Sequence, residues 1–252
     1  MLEIQIASDL HIEYNDKNNL DIDVSKYIIP KAKVLILAGD IGHLYYYEQL
    51  YNFLFKVCKL FQYVLYIPGN HEFYYSTKDH NLPFSILSKR LDSLCDSIHN
   101  LHILNRNAVC IQDTFIIGCT LWTKTEDKIP PYAVRIRDID KNAYNKLHET
   151  DLDYLNKMIS FLSSFRKKIV VVTHHCPTFN VFANKETINK YTSLYAVDLN
   201  RLLNRDTIHT WICGHIHENF DFFENGTRIV GNQFGKPRDE IKDYSKDKII
   251  VV

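Results

Sequence analysis

Five short clusters of carboxylate, imidazole and amide side chains are spread along the chain: Asp9-Leu10-His11, Gly39-Asp40, Gly69-Asn70-His71-Glu72, His174-His175 and Gly214-His215-Ile216-His217. Mixed oxygen and imidazole donors suit divalent metals such as Mn, Fe, Zn and Mg, and do not single out one of them. Two such cations lying close together need a carboxylate between them. Asp40, at the end of the apolar run Val34 to Ala38, is the candidate bridge. An unpaired carboxylate is costly to bury, whereas between two cations its burial becomes favourable. Taken singly, each acidic residue reads more readily as a turn or cap residue. The joint occurrence of all five clusters is what points to a metal centre.

Four of the five clusters directly follow apolar, β-branched runs that read as buried strands, ending at Ala7, Ala38, Ile67 and Val172. In open α/β sheets the carboxyl ends of the strands line the binding crevice, so ligands placed there converge. Strand runs at 2–7, 33–38, 63–67, 108–111, 115–119, 168–173 and 209–213 alternate with helical patterns near 45–61, 84–98, 141–165 and 194–204. Leu147, Leu152, Leu155, Met158, Ile159 and Leu162 recur at helical spacing, a stripe expected to pack on the core. Asn225-Gly226 between two apolar stretches predicts a hairpin turn, and 248–252 supplies a last strand. No linker or repeat interrupts the chain, so residues 1–252 are expected to form one α/β domain, two mixed sheets packed as a sandwich flanked by helices.

The ordered series D-x-H, G-D, G-N-H-E, H, G-H-x-H resembles the calcineurin-like metallophosphoesterase superfamily, from Asp9 to His217. Within that superfamily it is similar to the phosphodiesterase-like (class III) branch. The resemblance implies a binuclear centre in which Asp9, His11, Asp40 and His217 hold one metal while Asp40, Asn70, His174 and His215 hold the other. It implies hydrolysis of a phosphoester by a hydroxide bridging the metals, with His71 facing the substrate as acid or transition-state stabiliser. Protein phosphatases of the superfamily follow G-D with a D-R-G arginine, where this chain has Ile41-Gly42-His43-Leu44, and they lack a counterpart of His217. The expectation therefore leans to a phosphodiester or a small phosphorylated metabolite. A Ser/Thr-type phosphomonoesterase, a nuclease of the same superfamily and a non-catalytic protein-binding scaffold remain the alternatives. Arg135 and Arg137, in a segment 123–139 without core periodicity, are candidate phosphate-binding residues, and the segment is a candidate lid.

Among the other histidines, His43 lies close enough to Gly39-Asp40 to reach the site, and His175 is a fallback ligand or a residue orienting its neighbour, since successive residues leaving a strand point to opposite sides. Glu72 is expected to fix its loop. The cysteines, Cys176 and Cys213 beside motif histidines included, read as small reduced hydrophobes. Thirty basic residues balance thirty acidic ones, which argues against a nucleic-acid partner. No apolar run reaches the length of a membrane span. Met1-Leu2-Glu3-Ile4 enters a strand directly, and a cytoplasmic protein is expected. Tyr45-Tyr46-Tyr47 is either a contact surface or core packing.

Overall fold

The structure is a computed structural model and describes residues 1–126, 133–182 and 192–252. The apolar runs form the strands β1 (Glu3–Ala7), β2 (Val34–Ala38) and β3 (Tyr63–Ile67), which pair in parallel with a short β4 (Leu101–Ile103). β11 (Ile249–Val251) closes this sheet antiparallel to β1, in the order β11-β1-β2-β3-β4. The second sheet contains β5 (Asn107–Ile111), β6 (Thr114–Cys119), β7 (Lys168–Thr173), β8 (Thr210–Ile212), β9 (Phe220–Glu224) and β10 (Thr227–Gly231), in the order β5-β6-β7-β8-β10-β9. Its centre is parallel, while β5 and β9 are antiparallel edges. Asn225 and Gly226, both at positive φ, make the turn between β9 and β10.

Strand residues alternate between two faces, and both faces of both sheets are apolar. Between the sheets, Ile4, Ile6, Ile36, Ala38, Leu65 and Ile67 meet Ile116, Val170, Val172, Ile212 and Val230. The outer face of the first sheet, with Leu35, Leu37, Val64 and Tyr66, is covered by helices α2 (Tyr47–Cys58) and α3 (Phe84–Ser97). Leu50, Phe53, Leu54 and Val57 of α2 fall at i, i+3, i+4 and i+7, the spacing that buries one helical stripe. The outer face of the second sheet is covered by α4 (Lys141–Leu162), whose Leu155, Ile159 and Leu162 are buried against Ile117, Val171 and Trp211. Asp140 caps α4 by accepting from the Ala143 N–H at 2.7 Å. The result is a helix–sheet–sheet–helix sandwich. A four-residue helix, α1 (Ile12–Asn15), precedes these three.

The helix expected near 194–204 does not form. Its backbone spends its N–H groups elsewhere: Val197 donates to Cys176 O and Leu199 to Pro177 O, and only short turns follow, with Leu202 donating to Leu199 O. No helix among the described residues is long and apolar enough to cross a membrane.

Candidate metal centre

The motif residues leave the carboxyl ends of β1, β2, β3, β7 and β8 and meet at one edge of the sandwich. Asp9, His11, Asp40, His215 and His217 all have φ between 43° and 74°, the left-handed region that costs a non-glycine residue roughly 1–2 kcal/mol. The strain is held by a lattice of backbone bonds, the Asp9 N–H to Gly39 O at 2.9 Å and the His11 N–H to Asp40 O at 3.0 Å. Neighbouring exits approach so closely that a Cβ on Gly69 would lie 2.2 Å from Asp40 Oδ1 and one on Gly214 2.5 Å from Asp9 Oδ2. Glycine is required at both.

Glu72 fixes two of these exits together, as expected. Its buried carboxylate accepts from the Ile41 N–H at 2.7 Å, the Gly69 N–H at 2.8 Å, the Asp40 N–H at 3.1 Å and the Tyr66 hydroxyl at 2.6 Å. Burial, with Asp40 adding to it, raises its pKa to about 7.

Three donor clusters result; His11, Glu13 and His71 form one, and the other two share Asp40. Of these two, one contains Asp9, His11, Asp40 and His217; the other contains Asp40, His174 and His215. In the first, His11 Nε2 is 3.1 Å from His217 Nε2 and 3.6 Å from Asp40 Oδ2, and His217 Nε2 is 3.4 Å from Asp9 Oδ1. In the second, His174 Nε2 is 2.9 Å from Asn70 Oδ1, 3.1 Å from His215 Nδ1 and 3.3 Å from Asp40 Oδ1. Donors bound about 2.1 Å from one ion at right angles are about 3 Å apart, so this spacing fits cation ligation. The two Asp40 oxygens point to different clusters.

The outer nitrogens are engaged, as in metal-ligating histidines. His11 Nδ1 faces Glu13 Oε1 at 3.1 Å, His174 Nδ1 faces Ala38 O at 2.9 Å, and His217 Nδ1 faces Asp239 Oδ2 at 2.5 Å. Each contact turns Nε2 towards the cluster. Burial, and then the surrounding positive groups, hold His11 and His215 well below the usual histidine range. Burial works the same way on His174, but the charge and hydrogen bond of Asp40 outweigh it and raise the imidazole to about 9. His217 also rises against its burial, through Asp9.

His71, 6 % exposed, stands beside the two clusters that share Asp40, with its ring 4.6 Å from that of His11. Its pKa lies well below the usual value through burial and the nearby cations and histidines. It lines a cleft of about 740 Å³ with Asp40, Asn70, Tyr74, Arg135, His215, His217 and Lys236. His43 is buried behind it, 3.4 Å from His71 Nδ1 and 3.3 Å from Glu13 Oε1, so it touches the site from the back. His175 Nδ1 lies 3.2 Å from Thr120 O and its ring packs 4.2 Å from that of His215, an orienting position. Cys176 and Cys213 are buried thiols, with Cys176 Sγ donating to Gly214 O.

Of the two arginines expected to bind phosphate, the structure brings Arg135 to the cleft and holds Arg137 elsewhere. Arg135 lines the cleft and donates to the Tyr14 hydroxyl at 3.3 Å. Arg137 instead donates to His80 O at 2.8 Å and stacks 3.9 Å over the Tyr75 ring, because the carbonyls of that turn capture its guanidinium. The expected lid over 123–139 falls partly on 127–132, outside the described residues; its start is tied to α4 by the Thr125 N–H to Asn145 Oδ1 bond of 3.0 Å. Tyr45 and Tyr47 pack at the edge of the helical core, while Tyr46 stacks on His43. Glu13, Lys236 and Asp239 were not expected. Glu13 offered only an acidic residue between two apolar neighbours, and Lys236 and Asp239 sit in a Gly-Lys-Pro turn that reads as solvated.

Comparison with known proteins agrees with this geometry. An uncharacterized protein of Acanthamoeba polyphaga mimivirus is 29% identical over 259 residues, spanning 92% of this chain and 90% of that protein. The fold is similar to that of the phosphopantetheinyl hydrolase of Mycobacterium tuberculosis (TM-score 0.73, 16% identity, 98% of this chain and 95% of that one). It is also similar to a dimetal phosphatase from Danio rerio (TM-score 0.55, 12% identity, 91% and 86%). Residues 2–219 match the profile of the calcineurin-like phosphoesterases. With two Asp/His clusters able to hold two divalent cations, the chain belongs to the calcineurin-like phosphoesterase family and is a hydrolase of phosphoester bonds.

Proposed function

We propose that the cleft hydrolyses a phosphodiester or a small phosphorylated metabolite, with Asp9, His11, Asp40 and His217 holding one divalent cation and Asp40, Asn70, His174 and His215 the other. The observation that carries this reading is Asp40, buried with one oxygen towards each of the two donor clusters that share it, at the floor of an open cleft. Two bound cations would activate water and neutralise phosphoryl oxygens. The chain's own residues do the rest. Glu13, Asp239 and Ala38 O fix the imidazoles, and Glu72 holds the exits of β2 and β3 in register. His71 stands at the cleft wall; burial keeps its imidazole neutral, so we read it as giving a hydrogen bond from Nε2 to the departing oxygen once bound substrate draws the Lys236 ammonium off that nitrogen.

We read residues 1–252 as one domain, supported by the pairing of the first strand with the last, and place it in the cytoplasm, which suits its six free thiols. Mn is the metal to try first. The test is a panel of aryl diester, aryl monoester, cyclic nucleotide, phosphoserine peptide and single-stranded nucleic acid, with Mn and with chelator. Hydrolysis of a small ester that chelator abolishes is expected, together with two metal equivalents per chain that fall in Asp40→Asn. Full activity and metal content in that variant would sink the reading.

A further inference from the structure

We propose that Lys236, with Arg135 at the hydroxyl end of Tyr14, grips the substrate's phosphoryl oxygens and directs this centre to dianionic phosphate monoesters of small molecules. This rests on the phosphoesterase reading above and narrows its substrate class.

Lys236 comes from a tight turn after β10 that is fastened to the metal-facing residues. The Gly235 N–H donates to Asp9 O at 2.9 Å. Asp239 accepts from the Lys236 N–H at 2.7 Å with the same oxygen that faces His217 Nδ1. The backbone of Lys236 is thus held relative to both Asp9 and His217, and its side chain enters the cleft. Nζ lies 3.1 Å from His71 Nε2 and 5.8 Å from the centre of the Tyr14 ring. An ammonium has three donors and no acceptor. One donor meets His71, which leaves two for an oxygen in the cleft.

Arg135 approaches the same tyrosine from its hydroxyl end. Its Nε is buried and has no partner among the described residues, a donor that a ligand oxygen would satisfy. Arg238 also lines the cleft, but its side chain is 81% exposed and its charge is screened.

The negative groups facing Lys236 are Asp40, Glu13, Asp239 and Asp9. Asp40 and Asp9 are the carboxylates assigned to the cations, so in the loaded enzyme their charge is already matched. The positive charge of Lys236 is then available to the substrate. A monoester at neutral pH carries one more negative charge than a diester, and in a partly desolvated cleft that extra charge is worth more beside a fixed cation than it is in water. The D-R-G arginine missing after Asp40 is thus replaced by cations from other parts of the chain.

The experiment compares Mn-loaded wild type with Lys236→Met, Lys236→Arg and Arg135→Met. It measures kcat/KM on matched aryl monoester and diester substrates, inhibition by inorganic phosphate, and metal content. Wild type should prefer the monoester. In Lys236→Met the monoester-to-diester ratio should fall by roughly thirtyfold, the effect of one lost charge-assisted hydrogen bond. Phosphate inhibition should weaken with it, metal content should hold at two, and Lys236→Arg should recover part of the ratio. Equal losses on both esters, unchanged phosphate inhibition, or a wild-type diester preference would overturn the proposal. Calorimetric binding of phosphate to the metal-loaded protein reads the grip of Lys236 without turnover. Failure of every ester with every metal would therefore reject the phosphoesterase reading, whereas phosphate binding indifferent to Lys236 would reject this inference alone.

Discussion

Glu72 shows how much of the site depends on a residue assigned to neither metal. It gathers four backbone N–H groups and a tyrosine hydroxyl, and so locks the Asp40 and Asn70 loops together. In Glu72→Gln an amide NH₂ would replace one carboxylate oxygen and meet backbone N–H groups that also donate. The expected cost is about 2 kcal/mol of unfolding free energy, typical of an unsatisfied buried donor. Metal affinity should fall as well, and denaturant unfolding with metal analysis checks both. His71→Ala should behave differently, lowering turnover by roughly two to four orders of magnitude while leaving two metal equivalents bound; an emptied site would reassign it to the metals. The Asp and His residues of the two clusters that share Asp40 could be read from the sequence because each sits at a strand exit in a short spaced motif. Lys236 could not. Its role comes from an approach to His71 across 165 positions of chain, and no local pattern encodes that.

At the scale of elements, the strands that carry the motifs were visible because buried parallel strands are continuous apolar runs. β4 has only three residues, too few for such a signal, and follows α3 almost directly. The segment 194–204 looked helical by spacing, but bonding to Cys176 and Pro177 offered its backbone a better set of partners. Spacing reports which residues are apolar and is silent about competing hydrogen bonds. The join between α4 and the second sheet shows the same limit. Asp151, fully buried, accepts from Arg106 at 2.7 Å and from the Trp122 N–H at 3.2 Å, and His148 Nδ1 faces Trp122 O at 2.6 Å. These contacts clamp the exit of β6, beside the Thr120 that meets both His174 and His175. Asp151→Ala strands a guanidinium and a backbone N–H. It should destabilise the fold by about 3 kcal/mol, measured by chemical denaturation of the metal-loaded protein.

Over the whole molecule, equal numbers of acidic and basic residues conceal a strongly uneven centre, where buried carboxylates are balanced by protons when no cation is bound. His174 is raised to about 9 by Asp40, and His217 is raised by Asp9, both against the effect of burial. A histidine with a raised folded-state pKa stabilises the fold fully below its unfolded value, near 6.5, and that contribution is lost as pH rises through the folded value. Chelator-treated protein should therefore lose stability between about pH 6.5 and 9. Cations need the same nitrogens unprotonated, so binding them releases protons and strengthens as pH rises. Metal-loaded protein should show the opposite trend. At a free-metal concentration a hundred times Kd, linkage adds about 2.7 kcal/mol, or roughly 5–10 °C in Tm for a chain of this size. The gap between loaded and chelated melting temperatures should widen from pH 6 to pH 9. Thermal unfolding at three pH values, with Mn and with chelator, measures it. A gap that is constant with pH would mean that the cations displace no protons, and His174 and His217 would then have to be withdrawn as their ligands.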